Sequence, residues 1–145
     1  MRNLRIEAQI PEAINILQRE VAGGGTQITD TFKGYFASFG AAVIQSGLLP
    51  AAIFFGQKDS IKAKKDSKSG PKEARWKVTW CIFVLLFPKQ AAKVPAERQH
   101  AALKDYLLTR PQPLPAAEVQ QILDAALALK MALRTFELVE TDAKP

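Results

Sequence analysis

The chain has 145 residues, 48% of them hydrophobic and 23% charged, with a formal net charge of +6. That length and apolar share support one ordinary globular domain with its own core and exclude a disordered or fibrous chain. A lone cysteine, Cys81, excludes an internal disulfide and points to a reducing compartment.

Ile6, Ile10, Ala13, Ile14, Leu17 and Val21 recur at helical spacing and predict a first helix over about residues 3 to 21. Pro11 leaves two options open. Either its ring removes a hydrogen bond and kinks the helix, or the regular part starts beside it and uses it in the first turn. Gly23, Gly24 and Gly25 stop this helix, and Thr29 or Asp30 can cap the next. Phe32, Phe36, Phe39 and Val43 then mark the inward face of a helix over about 30 to 46. Gly47 offers the positive φ that ends it, and Pro50 suits the opening turn of a third helix running to about Gln57. In that third helix Leu48, Leu49, Ile53 and Phe54 are expected to take up the apolar pattern.

From Lys58 to Pro71 the chain is mostly Lys, Ser, Asp and Gly with almost nothing to bury, which predicts a mobile surface loop. Between Lys58 and Lys77 stand eight basic and three acidic residues, net +5; the rest of the chain carries twelve and eleven, net +1. One segment thus holds most of the excess charge, which suggests a localised anionic partner. Residues 74 to 87 are apolar nearly all round and rich in β-favouring types. With no second strand predicted to pair with them, they are read as a buried helix.

Pro88 and Pro95 bracket a connector, and Ala102, Leu103, Tyr106 and Leu107 predict a short helix over about 96 to 109, ended by Arg110-Pro111. Pro115 opens the last and longest helix, with Glu118 near its positive end and Val119, Ile122, Leu123, Ala126, Leu129, Leu133 and Phe136 facing inward. The expected fold is all-α: a single-domain bundle of about five to six helices over the whole chain, with a long basic loop at about 58–73. Arg2, Arg5 and Glu7 interrupt the apolar residues too early for a secretory leader. The longest apolar run, Val78 to Phe87, falls short of the roughly 20 residues that span a bilayer. A cytoplasmic protein without a membrane partner is expected.

Enzymatic chemistry finds little support. Triads and metal sites need convergent His, Cys, Ser or carboxylate groups, whereas His100 and Cys81 stand alone in unrelated contexts. His100 is expected on the surface of the short helix and Cys81 in the core. The carboxylates are scattered, and Glu137 with Glu140 lies at an exposed end, so no acid–base pair is assigned. Gly23-Gly24-Gly25-Thr26 lacks the Gly-Lys-Ser/Thr of a phosphate loop. No cofactor, metal or small-molecule substrate is expected. Trp76 and Trp80 stand one helical turn apart; core packing is the favoured role, with Trp76, between Arg75 and Lys77, the more exposed of the two.

The basic segment is the functional candidate, because lysines bind phosphates without fixed spacing and without reading sequence. Its members are Lys58, Lys62, Lys64, Lys65, Lys68, Lys72, Arg75 and Lys77, and Lys33, Lys130 and Arg134 are candidates to extend a basic face from the helices. The opposing account is a solvated loop that serves solubility.

The stretch FKGYFASFGAAVIQSGLLPAAIFFGQK, from Phe32 to Lys58, resembles the small helical subunit family of the type III-B CRISPR RAMP-module effector complex. The resemblance lies in Lys33, Tyr35 and Ser38 before the IQSGL turn, then a short apolar run closing at Phe55 and Lys58. It covers about thirty residues and is looser around Glu118, Leu129, Lys130, Arg134 and Phe136. It implies a non-catalytic subunit that stacks beside copies of itself and other subunits and contacts guide RNA and single-stranded target RNA. This chain departs from the family in its long lysine segment and in Pro11. The alternatives are a helical adaptor that binds only protein, through the apolar surface of helices around 36–55 or 76–87, and the small subunit of type III-A complexes.

Overall fold

The computed structural model describes residues 4–57 and 75–139. Helix α1 spans Leu4–Glu20, α2 Thr31–Ser46 and α3 Leu48–Phe55; α4 spans Lys77–Leu86, α5 Pro88–Ala91, α6 Ala102–Leu108 and α7 Ala116–Leu133. A 3-10 turn at Ala96–Ala101 leads into α6, and two short strands, β1 (Gln27–Thr29) and β2 (Glu137–Val139), flank α2 and α7. The fold is all-α apart from that ribbon. Six of these helices match the segments expected from periodicity; α5 is a short turn inside the connector that opens at Pro88, where proline suits the first helical position.

Helix α4 sits at the centre. Its residues Val78 to Val84 are all buried, and it packs against α1, α2, α3, α5, α6, α7 and the 3-10 turn. A segment surrounded on every side has no polar face to show, so the β-favouring run becomes a helix whose backbone bonds close internally. The adaptor reading loses one of its two surfaces for this reason, since α4 offers no open apolar face.

Helix α1 packs most extensively against α7. Ala13, Ile16 and Leu17 meet a face of α7 formed by Ile122, Ala125, Ala126, Leu129, Ala132 and Leu133, in one core with α2 and α4. The helix begins at Leu4 and carries the exposed Pro11 in its interior, which removes the option of a regular part starting beside the proline. Gly23 and Gly24, both at positive φ, terminate α1, with the Gly24 N–H donating to the Gln18 carbonyl at 2.7 Å. Asp30 occupies the N-cap position of α2 but, being itself in the helical region, makes no side-chain cap hydrogen bond, and Thr29 belongs to β1.

The ribbon is a regular element that periodicity missed. β1 and β2 run parallel in the register Gln27↔Glu137, Ile28↔Leu138 and Thr29↔Val139. The Asp30 N–H donates to Val139 at 2.8 Å and the Glu137 N–H to Thr26 at 2.9 Å. A two-stranded ribbon is marginal alone, and this one is held by Ile28, buried in the core, and by the helices at its ends. Glu137 is exposed, as expected, but within a strand.

Helix α3 corrects the expected apolar pattern. Its buried positions are Leu48, Ala51, Ala52 and Phe55, while Ile53 and Phe54 are exposed. Small alanines let α3 lie close to its neighbours, and the bulkier pair is left outside. Gly47, at φ 101 and ψ 160, makes the bend between α2 and α3. Gly56 is buried, and a methyl group on it would meet the Ala52 carbonyl oxygen at 2.8 Å and the His100 carbonyl oxygen at 2.9 Å. That close approach, together with the packing of the 3-10 turn on α4, leaves His100 half-buried instead of on the surface.

Candidate nucleic-acid interface

The basic segment departs from the end of α3 and rejoins the fold at α4. Lys58, Lys62, Lys64, Lys65, Lys68 and Lys72 lie outside the described residues, as does the loop expected at 58–73. Its two flanks are described, and they meet. The Arg75 guanidinium lies over the Phe54 ring, 4.3 Å from its centroid, and 5.7 Å from the centroid of Phe55. Phe54 touches Phe55 edge-on at 5.6 Å, and Phe55 in turn meets the buried Phe39 edge-on at 5.3 Å. A row of rings therefore runs from the core of α2 out to a half-buried arginine. A guanidinium over a ring face is attracted by the ring quadrupole, which helps to fix Arg75, and among the described residues no carboxylate pairs with it.

Next along the chain, the Lys77 ammonium lies 5.9 Å from the Trp76 ring centroid. Trp76 is half-buried against the core, whereas Trp80 is buried and donates its indole N–H to Glu20 at 2.9 Å. The two tryptophans thus divide as expected, Trp80 to the core and Trp76 nearer to solvent.

The other candidates stand elsewhere. Lys33 is exposed in the first turn of α2, just after β1; Lys130 is half-buried in the last turn of α7, and Arg134 is exposed at its C-cap, just before β2. Because the strands run parallel, Lys33 follows one end of the ribbon and Arg134 precedes the other. Among the described residues no hydrogen bond, ion pair or ring contact joins Lys33, Lys130 or Arg134 to Arg75 or Lys77. Lys130 and Arg134 also have a structural reason to be where they are, since cations at a helix C-terminus complement its partial negative charge.

Two features escaped sequence reading. Phe54, expected in the apolar pattern of the third helix, is 51% exposed, and Ile44, on α2, is 78% exposed. The 3.6-residue spacing of Leu48, Ala51, Ala52 and Phe55 was the available signal, masked by the apolar character of every position in α3. Asp124, in the middle of α7, is buried and accepts a hydrogen bond from the Gln120 amide at 2.9 Å.

Cys81 is fully buried, and desolvation, reinforced by the Glu20 carboxylate, pushes its thiol far above the ordinary range, so it stays protonated. Glu118, at the N-terminus of α7, holds Arg110 in a bidentate pair, with Arg110 Nε donating at 3.1 Å, and the pair raises the Arg110 pKa. Among the described residues no three His, Cys, Asp or Glu side chains gather as a metal site, and no helix is long and apolar enough to cross a membrane. No protein-family model, curated protein or solved structure matches this chain.

Proposed function

We propose that the chain is a non-catalytic small subunit of a type III-B CRISPR RNA-guided antiviral effector complex, acting in the cytoplasm. In this reading it stacks beside copies of itself and other subunits and contacts guide and target RNA through a basic surface. The observation that carries the proposal is the Lys33-Tyr35-Ser38 pattern leading through Gly47-Leu48 to Lys58, followed at once by the segment that holds net +5. The helix–bend–helix of α2 and α3 supports it, as does the meeting of Phe54 and Arg75 on the described residues to either side of the segment.

Single-stranded RNA affinity, measured by fluorescence anisotropy across a salt series, tests the RNA contact. Binding should weaken steeply as salt rises. Replacing Lys62, Lys64, Lys65 and Lys68 with serine should lower the salt slope by up to about 3, at roughly 0.7 per phosphate contact on a single strand. Salt-independent binding, or none even in the assembled complex, removes RNA from the reading. Genes for a RAMP backbone subunit and a large polymerase-like subunit beside this one would support the assignment, and their absence would sharply weaken it.

The exposure of Ile44, Ile53 and Phe54 favours a second reading, a helical adaptor that binds only protein through α2 and α3. Polar replacements at Ile44 and Ile53 would then abolish assembly while the lysine replacements change nothing.

A further inference from the structure

We infer that Phe54 and Arg75 form a stacking platform for the bases of single-stranded RNA, so that the site holds its ligand by ring contact as well as by charge. This rests on the RNA-binding reading above and names what that reading lacks, a groove-independent means of preferring single strands. Phe54 stays half in water although α3 has a buried face available one position later, at Phe55. Its ring is held in place by the edge contact with Phe55 and, through Phe55, by Phe39. An anchored ring loses little freedom when a base lies on it.

Arg75 supplies the second half. Its guanidinium is laid over Phe54, 4.3 Å from the ring centroid, and its Nε is buried and makes no hydrogen bond among the described residues. A planar guanidinium stacked on a ring keeps its N–H groups in its own plane, so with Nε buried it is the terminal Nη groups that suit a phosphate oxygen or a base edge. Aromatic rings and arginine planes receive unstacked bases without regard to sequence, whereas a base inside a duplex offers no free face. The chemistry therefore selects an unpaired strand passing the edge where the basic segment begins and ends.

Anisotropy titrations of the full-length protein with a labelled single-stranded oligouridylate, and with a duplex of matched length, test this. Phe54→Leu keeps an apolar side chain and removes the π-face. It should weaken single-strand binding about ten-fold at every salt concentration with the salt slope unchanged, and leave duplex binding as it was. Phe54→Trp should restore or exceed wild-type affinity. Circular dichroism confirms that both variants fold. If Phe54→Leu binds the single strand as tightly as wild type, the platform is overturned while charge-based RNA binding stands. If the same variant instead changes self-association in sedimentation velocity, Phe54 belongs to a protein contact and the platform is likewise overturned. Failure of the wild-type protein to bind the oligonucleotide both alone and in the assembled complex overturns both readings.

Discussion

The Trp80 indole N–H donates to the Glu20 carboxylate at 2.9 Å, which ties the middle of the central helix to the last residue of the first one. Arg19 lies 3.2 Å from the same carboxylate, so Glu20 joins a partly buried donor and a surface cation.

Trp80→Phe should therefore destabilise the fold by about 1.5–3 kcal/mol, the range for a hydrogen bond to a charged group, plus a smaller loss from the reduced ring. Glu20→Gln keeps an acceptor for the indole and should cost less. Urea denaturation with unchanged m-values checks both, and an equal or reversed order would count against the bond.

Three glycines should respond to alanine with different signs. Gly47 combines φ 101 with ψ 160, a conformation almost confined to glycine, so Gly47→Ala should cost about 1–3 kcal/mol. Gly56 has an ordinary φ of −85, but an added methyl would strike two backbone oxygens, so Gly56→Ala should cost about 1–3 kcal/mol through overpacking. Gly40 lies inside α2 with open space around it, and Gly40→Ala should stabilise by about 0.4–1 kcal/mol. Thermal melts of the three variants give the comparison directly.

Cys81 makes stability fall in alkali. Burial first, and Glu20 second, raise its pKa above the ordinary 9.0, so the unfolded chain gives up the thiol proton at lower pH than the folded one. This contribution is fully present below the ordinary value and is lost progressively as pH rises beyond it. The urea midpoint of the wild type should drop more steeply above about pH 9 than that of Cys81→Ala. Iodoacetamide should label the native thiol only as fast as the protein opens.

Ile44 is exposed enough that its replacement touches no packing. Ile44→Lys should leave the unfolding free energy of the isolated protein within about 0.5 kcal/mol of wild type and leave RNA affinity essentially unchanged. Incorporation of the same variant into an assembly, measured by co-purification with partner subunits, should fall if α2 and α3 carry the protein contact.

The helices were legible where apolar and polar residues alternate with contrast. Phe32, Phe36, Phe39 and Val43 are buried as their spacing requires, because Lys33, Ser38 and Gln45 mark the outer face between them. In α3 every residue from Leu48 to Phe55 is apolar, so spacing carried no contrast, and the choice of Ala51 and Ala52 over Ile53 and Phe54 was made by the closeness of neighbouring helices. The ribbon was illegible for another reason: its strands are three residues long and sit 110 positions apart, a pairing that only the assembled helices can impose. Asp124 was missed because its tolerance in the core depends on a partner, Gln120, one turn away. At the candidate site, the charge of Arg75 and Lys77 was plain from composition. The ring beneath Arg75 was not, since Phe54 reaches it only through the packing of α3 on α4.

The clasp of α1 against α7, with β1 against β2 beside it, also bears on how the molecule is made. A chain that leaves the ribosome from its N-terminus exposes the inner face of α1 long before α7 exists to cover it. Ile16 and Leu17 must wait for Leu129 and Leu133, and the ribbon closes later still. Folding of this core should therefore wait for α7, with a nascent intermediate whose uncovered leucines and isoleucines invite chaperone binding until α7 emerges.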